Sequence, residues 1–197
     1  ESEERGTAIA PTPSIGLIGI TDDVALSPPS HFVNEGDTII LVGETRDELG
    51  GSEYYNLLGY RSYGNAPDVS KNADYILDTI RSAVLSGKVS ASHDVSQGGL
   101  AVALCEMCDG IGAEVNLNSA GNGLRVDEVL FSESYARAIL ATSEPDSVRE
   151  LLKDVPHTII GTTGGDLLTI SYANTEIVIT RAEISNARMS LKRSMTE

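Results

Sequence analysis

The chain has no tryptophan and only two cysteines and three histidines among its 197 residues. Cys105 and Cys108 have C-x-x-C spacing, but a zinc site needs two further ligands, and the histidines are distant and unpatterned. Both cysteines fall inside a helical apolar pattern, which is typical of buried thiols. The sequence therefore favours structural cysteines over a metal or redox site.

Basic residues are scarce: the chain has 14 of them and 29 acidic residues, and its formal net charge is −15. Such a chain repels phosphate backbones and anionic membranes, so we expect neither a nucleic-acid nor a membrane partner. The apolar runs are too short to span a bilayer, and the charged start lacks the apolar region of a signal peptide. We expect a cytoplasmic location.

The chain starts with Glu1 rather than Met, in a polar stretch followed by Pro11 and Pro13. We interpret residues 1–10 as the tail of a preceding domain and a linker, and residues 11–197 as one domain. A processed chain with a disordered start is the alternative.

Strands and helices alternate early and strands cluster late, which predicts an α+β domain with a mixed β-sheet and helices packed on its faces. The predicted strands are residues 14–20, 38–43, 88–92, 113–117, 135–141, 158–162, 167–171 and 176–180. The predicted helices are residues 69–85 with Asp68 as the cap, 99–109, 146–152 and a last one from about residue 181.

A first glycine-rich bend, Gly50-Gly51-Ser52, follows the apolar strand 38–43. Such a bend opening a helix offers backbone N–H groups and a hydroxyl, so Gly50, Gly51 and Ser52 are candidates for binding phosphate. No Gly-Lys-Ser/Thr motif is present, so this is not a Walker loop. The alternative is a plain turn in which Ser52 caps the helix.

A second bend, His93 to Gly99, also joins a strand to a helix. Gly98 and Gly99 allow a ligand close to the backbone and leave a helix N-terminus facing an anion. Asp94 is a candidate Mg²⁺ ligand, because hard cations prefer carboxylate oxygen. In the alternative, Asp94 braces the loop or caps the helix, and His93 is structural.

A third motif, Phe131 to Arg137, inserts polar residues between two apolar runs. Glu133 and Ser134 suit a ligand-facing edge; the alternative is an exposed loop. The sequence shows no Ser-His-Asp or Cys-His arrangement, so we predict no catalytic residue. We expect the two bends, around Ser52 and Gln97, to converge at one rim of the sheet.

In order and spacing, the three motifs resemble the C-terminal domain of the aminoimidazole ribonucleotide synthetase-like superfamily, and within it the synthetase subunit of the phosphoribosylformylglycinamidine synthase family. The resemblance runs from about Pro11 to the C-terminal helix. It implies a ligase that uses Mg²⁺ and ATP, releases ADP, and works with a glutaminase subunit and a small accessory subunit.

The same resemblance places this chain as the second of two such domains in the subunit, a structural or auxiliary-site domain without activity alone. It implies that Asp94 matches a magnesium position and that Glu133 and Ser134 match a substrate-contacting Glu-Ser-Gln, in which Tyr135 replaces the Gln. The alternatives are another ATP-using member of the superfamily, such as aminoimidazole ribonucleotide synthetase or selenophosphate synthetase, or a non-catalytic binding module.

Overall fold

A computed structural model describes residues 16, 18–21, 23–60, 62–69 and 71–194, with side chains to residue 189. The predicted linker, residues 1–10, lies outside the described residues. The strand predicted at 14–20 lies partly outside them, and residues 16 and 18–20 are exposed and form no strand. No helix in the described part of the chain is both long and apolar enough to cross a membrane.

The regular elements follow one another from residue 24 to residue 194, beginning with a 3₁₀ turn at Val24–Leu26. The strands are β1 (Thr38–Val42), β2 (Ala91–Asp94), β3 (Ala113–Asn116), β4 (Ala138–Thr142), β5 (His157–Thr163), β6 (Leu167–Tyr172) and β7 (Thr175–Thr180). The helices are α1 (Glu53–Leu57), α2 (Ala73–Leu85), α3 (Gly99–Met107), α4 (Val126–Phe131), α5 (Pro145–Leu151) and α6 (Arg181–Ser194).

The seven strands form one sheet in the order β2-β4-β1-β5-β3-β6-β7. Each neighbouring pair is antiparallel except β3 and β6, which run parallel. The predicted mixed sheet is therefore confirmed. The apolar run of β1 lies inside the sheet between β4 and β5, where its side chains are covered on both faces.

Successive residues of β1 point to opposite faces of the sheet, and each face has its own core. Ile39 and Leu41 belong to a cluster with α3 and α4 residues, whereas Ile40 and Val42 pack in a second cluster with residues of α2 and α5. Burial of each such side chain contributes about 1.5–3 kcal/mol. The prediction that helices cover the sheet faces is confirmed.

Some predicted boundaries were wrong. The helix predicted from residue 69 begins at Ala73, with Asn72 as its N-cap. Asp68 does not cap it; its backbone N–H instead donates to Oε1 of Glu48. Val69 is exposed, so its place in the apolar pattern was accidental. The strands predicted at 88–92 and 135–141 begin later, at residues 91 and 138.

Candidate functional site

The two glycine-rich bends and the polar motif meet at one open cavity of about 600 Å³. Its lining comprises Gly50, Gly51, Ala66, Pro67, Leu77, residues 94–97, Glu133 and residues 135–137. The expected convergence of the bends is confirmed.

Strand order explains this convergence. β4 lies between β2 and β1 and is antiparallel to both. Its first residue, Ala138, pairs with Val42 at the end of β1 and with Asp94 at the end of β2. The loops that leave β1 and β2 and the segment that enters β4 therefore lie at the same end of the sheet, although they are far apart in sequence.

Glu133 joins the two bends directly. Its Oε1 accepts one hydrogen bond from the backbone N–H of Glu53 and another from that of Gly98, each 2.9 Å long. Gly98 adopts a left-handed conformation, with φ of 79°, and has no side chain to cap α3. The Glu133 carboxylate, from another part of the chain, places a negative charge at the N-terminus of α3 instead.

Arg137 is among the residues that line the cavity, although it is only 3% exposed. Its guanidinium donates to the carbonyls of Ser132 and Ser134 and to the hydroxyl of Thr45. Burial lowers the Arg137 pKa to about 10, while the charges of nearby glutamates act in the opposite direction. Sequence reasoning missed this role, although an arginine directly before the apolar run of β4 was an available signal.

Glu48 is a second buried charge in the same region. Its Oε1 accepts from the Asp68 N–H at 3.1 Å and lies 3.7 Å from the Arg46 guanidinium. Its Oε2 is buried and has no hydrogen-bond partner within the described part of the chain. Nothing in the polar sequence around Glu48 indicated burial, so no local signal could have found it.

The predicted phosphate-binding residues line the cavity or adjoin it, but most of their N–H groups have internal acceptors. Gly50 donates to the Asn65 carbonyl, Ser52 to Leu49, Gly98 to Glu133 and Gly99 to Ser96. In each of these four bonds the acceptor belongs to the chain itself. A phosphate would have to compete with them, and phosphate binding stays a prediction.

Ser52 has the structural role that was the alternative to ligand binding. Its side chain is buried, donates to the Leu49 carbonyl at 2.7 Å and accepts from the Tyr55 N–H at 3.2 Å. It is the N-cap of α1. Ser134 is also buried, and its hydroxyl accepts from the Arg46 N–H. Both hydroxyls therefore brace loops in this structure.

Asp94 ends β2 and lines the cavity, with 78% of its side chain exposed. Nδ1 of His93 lies 3.7 Å from its carboxylate, and because the side chain is mostly exposed, Asp94 is not a buried brace. Within the described residues, no group of three or more His, Cys, Asp or Glu side chains is arranged to hold a metal. Asp94 alone offers one ligand, and the others would have to come from phosphate and water.

Cys105 and Cys108 are free thiols at the end of α3. Cys108 is buried, whereas Cys105 is partly exposed. Burial raises the pKa of both thiols, that of Cys108 to about 12. The prediction of buried thiols is confirmed for Cys108, and neither cysteine takes part in the cavity.

Comparison with known families gives a match over residues 34–171 to the family described as AIR synthase related protein, C-terminal domain. The phosphoribosylformylglycinamidine synthase subunit PurL of Methanosarcina mazei is 49% identical over 195 residues, which cover 99% of this chain. They cover only 27% of the relative, so the chain spans about a quarter of its length.

Two solved structures have the same fold. Thermotoga maritima PurL complexed with FGAR superposes with a TM-score of 0.70 at 18% identity, covering 82% of this chain and 30% of that one. The structure of PurLQS from the same organism has a TM-score of 0.64 at 17% identity, covering 82% of this chain and 28% of that one.

Proposed function

The chain belongs to the family of AIR synthase related proteins, and from this premise we propose that it is one domain of a phosphoribosylformylglycinamidine synthase. The observation that carries the proposal is the 49% identity to M. mazei PurL over nearly the whole chain. The mixed sheet with helices on both faces, shared with T. maritima PurL, supports it.

In this proposal the whole enzyme converts formylglycinamide ribonucleotide, ATP and glutamine-derived ammonia into the amidine, ADP and phosphate. The amide oxygen attacks the γ-phosphorus and ADP leaves. Ammonia then adds to the activated carbon, and phosphate departs with the oxygen while a proton is released. Mg²⁺ supplies charge neutralisation at the phosphates when bound.

The role we assign to this domain is structural or auxiliary. The hydrogen bonds of Glu133 and Arg137 hold the loops around the cavity in place. Asp94 is the exposed carboxylate that would contact Mg²⁺ carried by a nucleotide's phosphates. Exposed Tyr135 provides an aromatic rim where the family motif has an amide. These features suit a cavity completed by a neighbouring domain.

The partners that we assign are the rest of the synthetase subunit, a glutaminase subunit and a small accessory subunit in the cytoplasm. The named PurLQS assembly of T. maritima, which contains the same fold, supports a multi-subunit enzyme. The excess of acidic over basic residues supports a role without nucleic acid or an anionic membrane surface.

A chimera tests the proposal. The 195 matched residues of M. mazei PurL are replaced by those of this chain, and the subunit is assayed with its partners for ATP-dependent amidine formation. We expect activity from the chimera and none from a subunit that lacks the segment. The isolated chain should release no ADP from ATP with substrate and ammonia.

Two results would count against us. A folded chimera no more active than the deletion would contradict membership of this enzyme. Turnover by the isolated chain would contradict only the auxiliary role.

A further inference from the structure

The N-terminus of α3 already holds an anion that belongs to the chain itself. Oε1 of Glu133 lies 2.9 Å from the Gly98 nitrogen and 2.9 Å from the Glu53 nitrogen. Glu133 is separated from these donors by 35 and 80 residues, so the contact joins three segments and is not a local cap.

The surroundings show that this carboxylate is held in place. Ser132 accepts from the Glu48 N–H, and Ser134 accepts from the Arg46 N–H, so the residues on both sides of Glu133 are bonded to the loop after β1. The Glu133 N–H itself donates to the Glu48 carbonyl. The backbone of the segment is thus fixed while its carboxylate faces the two donors.

We propose that Glu133 is a built-in anion that closes this part of the cavity to phosphate. The donors that a phosphate would use, the N–H groups of Glu53 and Gly98, are neutralised by a charge from within the domain. A ligand phosphate can reach them only when Glu133 leaves, so Glu133 blocks anion binding and at the same time couples the two bends. This inference rests on the hydrogen bonds and is independent of which enzyme contains the domain.

The test is a titration with inorganic phosphate, followed by the amide NMR signals of Gly98 and Glu53. In Glu133→Ala these signals should shift with phosphate and saturate, because the two vacated N–H groups can donate to the phosphate oxygens. In the unsubstituted chain and in Glu150→Ala, which removes an exposed carboxylate paired with Lys153, the same signals should not move. Equal shifts with and without Glu133, or none in either, would overturn the proposal.

A second variant covers the case in which Glu133→Ala does not fold. Glu133→Gln keeps the shape and an acceptor oxygen but loses the charge. We expect it to melt at a lower temperature than the unsubstituted chain, because a neutral oxygen interacts less with the two donors. An unchanged melting temperature would show that the charge is irrelevant and would overturn the built-in anion.

Discussion

The guanidinium of Arg137 donates a buried 2.9 Å hydrogen bond to the hydroxyl of Thr45. This contact connects the loop after β1 with the segment before β4, which are 92 residues apart. The same guanidinium also donates to the carbonyls of Ser132 and Ser134. One buried cation therefore holds together the loop after β1 and the segment before β4. The geometry around Glu133 depends on that support.

Arg137→Lys should destabilise the domain by about 2–4 kcal/mol, because an ammonium cannot reproduce the planar set of donors and leaves buried carbonyls unpaired. Thr45→Val removes a single partner and should cost less, about 1–3 kcal/mol. Urea unfolding of the two variants measures both values. A smaller loss for Arg137→Lys than for Thr45→Val would contradict the bracing role.

Gly51 and Gly99 both have a left-handed backbone, but only at Gly99 would an added Cβ meet other atoms. Substituting each by alanine therefore distinguishes the cost of the backbone conformation from the cost of steric overlap. Gly51 has φ of 79° and nothing within 4 Å of an added Cβ, so Gly51→Ala should cost about 1–2 kcal/mol. Gly99 has φ of 67°, and a Cβ there would lie 2.8 Å from the Leu130 carbonyl oxygen. Gly99→Ala should therefore cost a further 1–3 kcal/mol or so. Equal losses in thermal unfolding would show that α3 does not press against α4 at this point.

Most strands and helices of the fold could be predicted from local sequence patterns, because these patterns depend only on residues that are close in sequence. The buried run of β1 and the apolar face of α3, with Leu100 and Leu104, were predictable from periodicity. The start of α2 was not, because it lies at Ala73 after Asn72, and the sequence alone offers Asp68 as an equally good cap. The backbone N–H of Asp68 instead donates to Glu48, a contact that no local pattern indicates.

The candidate site could likewise be predicted only in part from the sequence. The two bends were visible as glycine-rich motifs, but the use of their N–H groups was not. Glu133 reaches Gly98 over 35 residues, and Arg137 reaches Thr45 over 92, so both contacts depend on the order of the strands. A polar residue in such a motif could equally face a ligand or bind the chain itself, and only the tertiary structure decides between them.

Cys108 should make stability fall as the pH rises above about 9. Burial raises its pKa from 9.0 to about 12. Above pH 9 the unfolded chain releases this proton while the folded chain keeps it, so the folded state loses stability up to about pH 12. The slope is at most about 1.4 kcal/mol per pH unit.

Urea unfolding under reducing conditions from about pH 8 to about pH 10.5 measures this slope. Cys108→Ala should show a flatter dependence than the unsubstituted chain, whatever constant loss the missing sulfur causes. Cys105→Ala retains the buried thiol of Cys108 and should flatten the dependence less than Cys108→Ala does, because the pKa of the partly exposed Cys105 is also raised by burial. Identical slopes with and without Cys108 would refute the linkage.

Asp94→Asn should leave the fold nearly intact and abolish any magnesium-dependent nucleotide binding. Its side chain is 78% exposed and lies 3.7 Å from the imidazole of His93, so the stability should change by less than about 0.5 kcal/mol. Calorimetry with ADP, in Mg²⁺ and again in a chelator, isolates the magnesium-dependent part of the binding. Asp146→Asn, at a fully exposed position in α5, should change neither property. If Asp94→Asn unfolds, the carboxylate braces the loop after all; if it binds Mg²⁺ and ADP as before, phosphate-bound magnesium does not depend on this carboxylate.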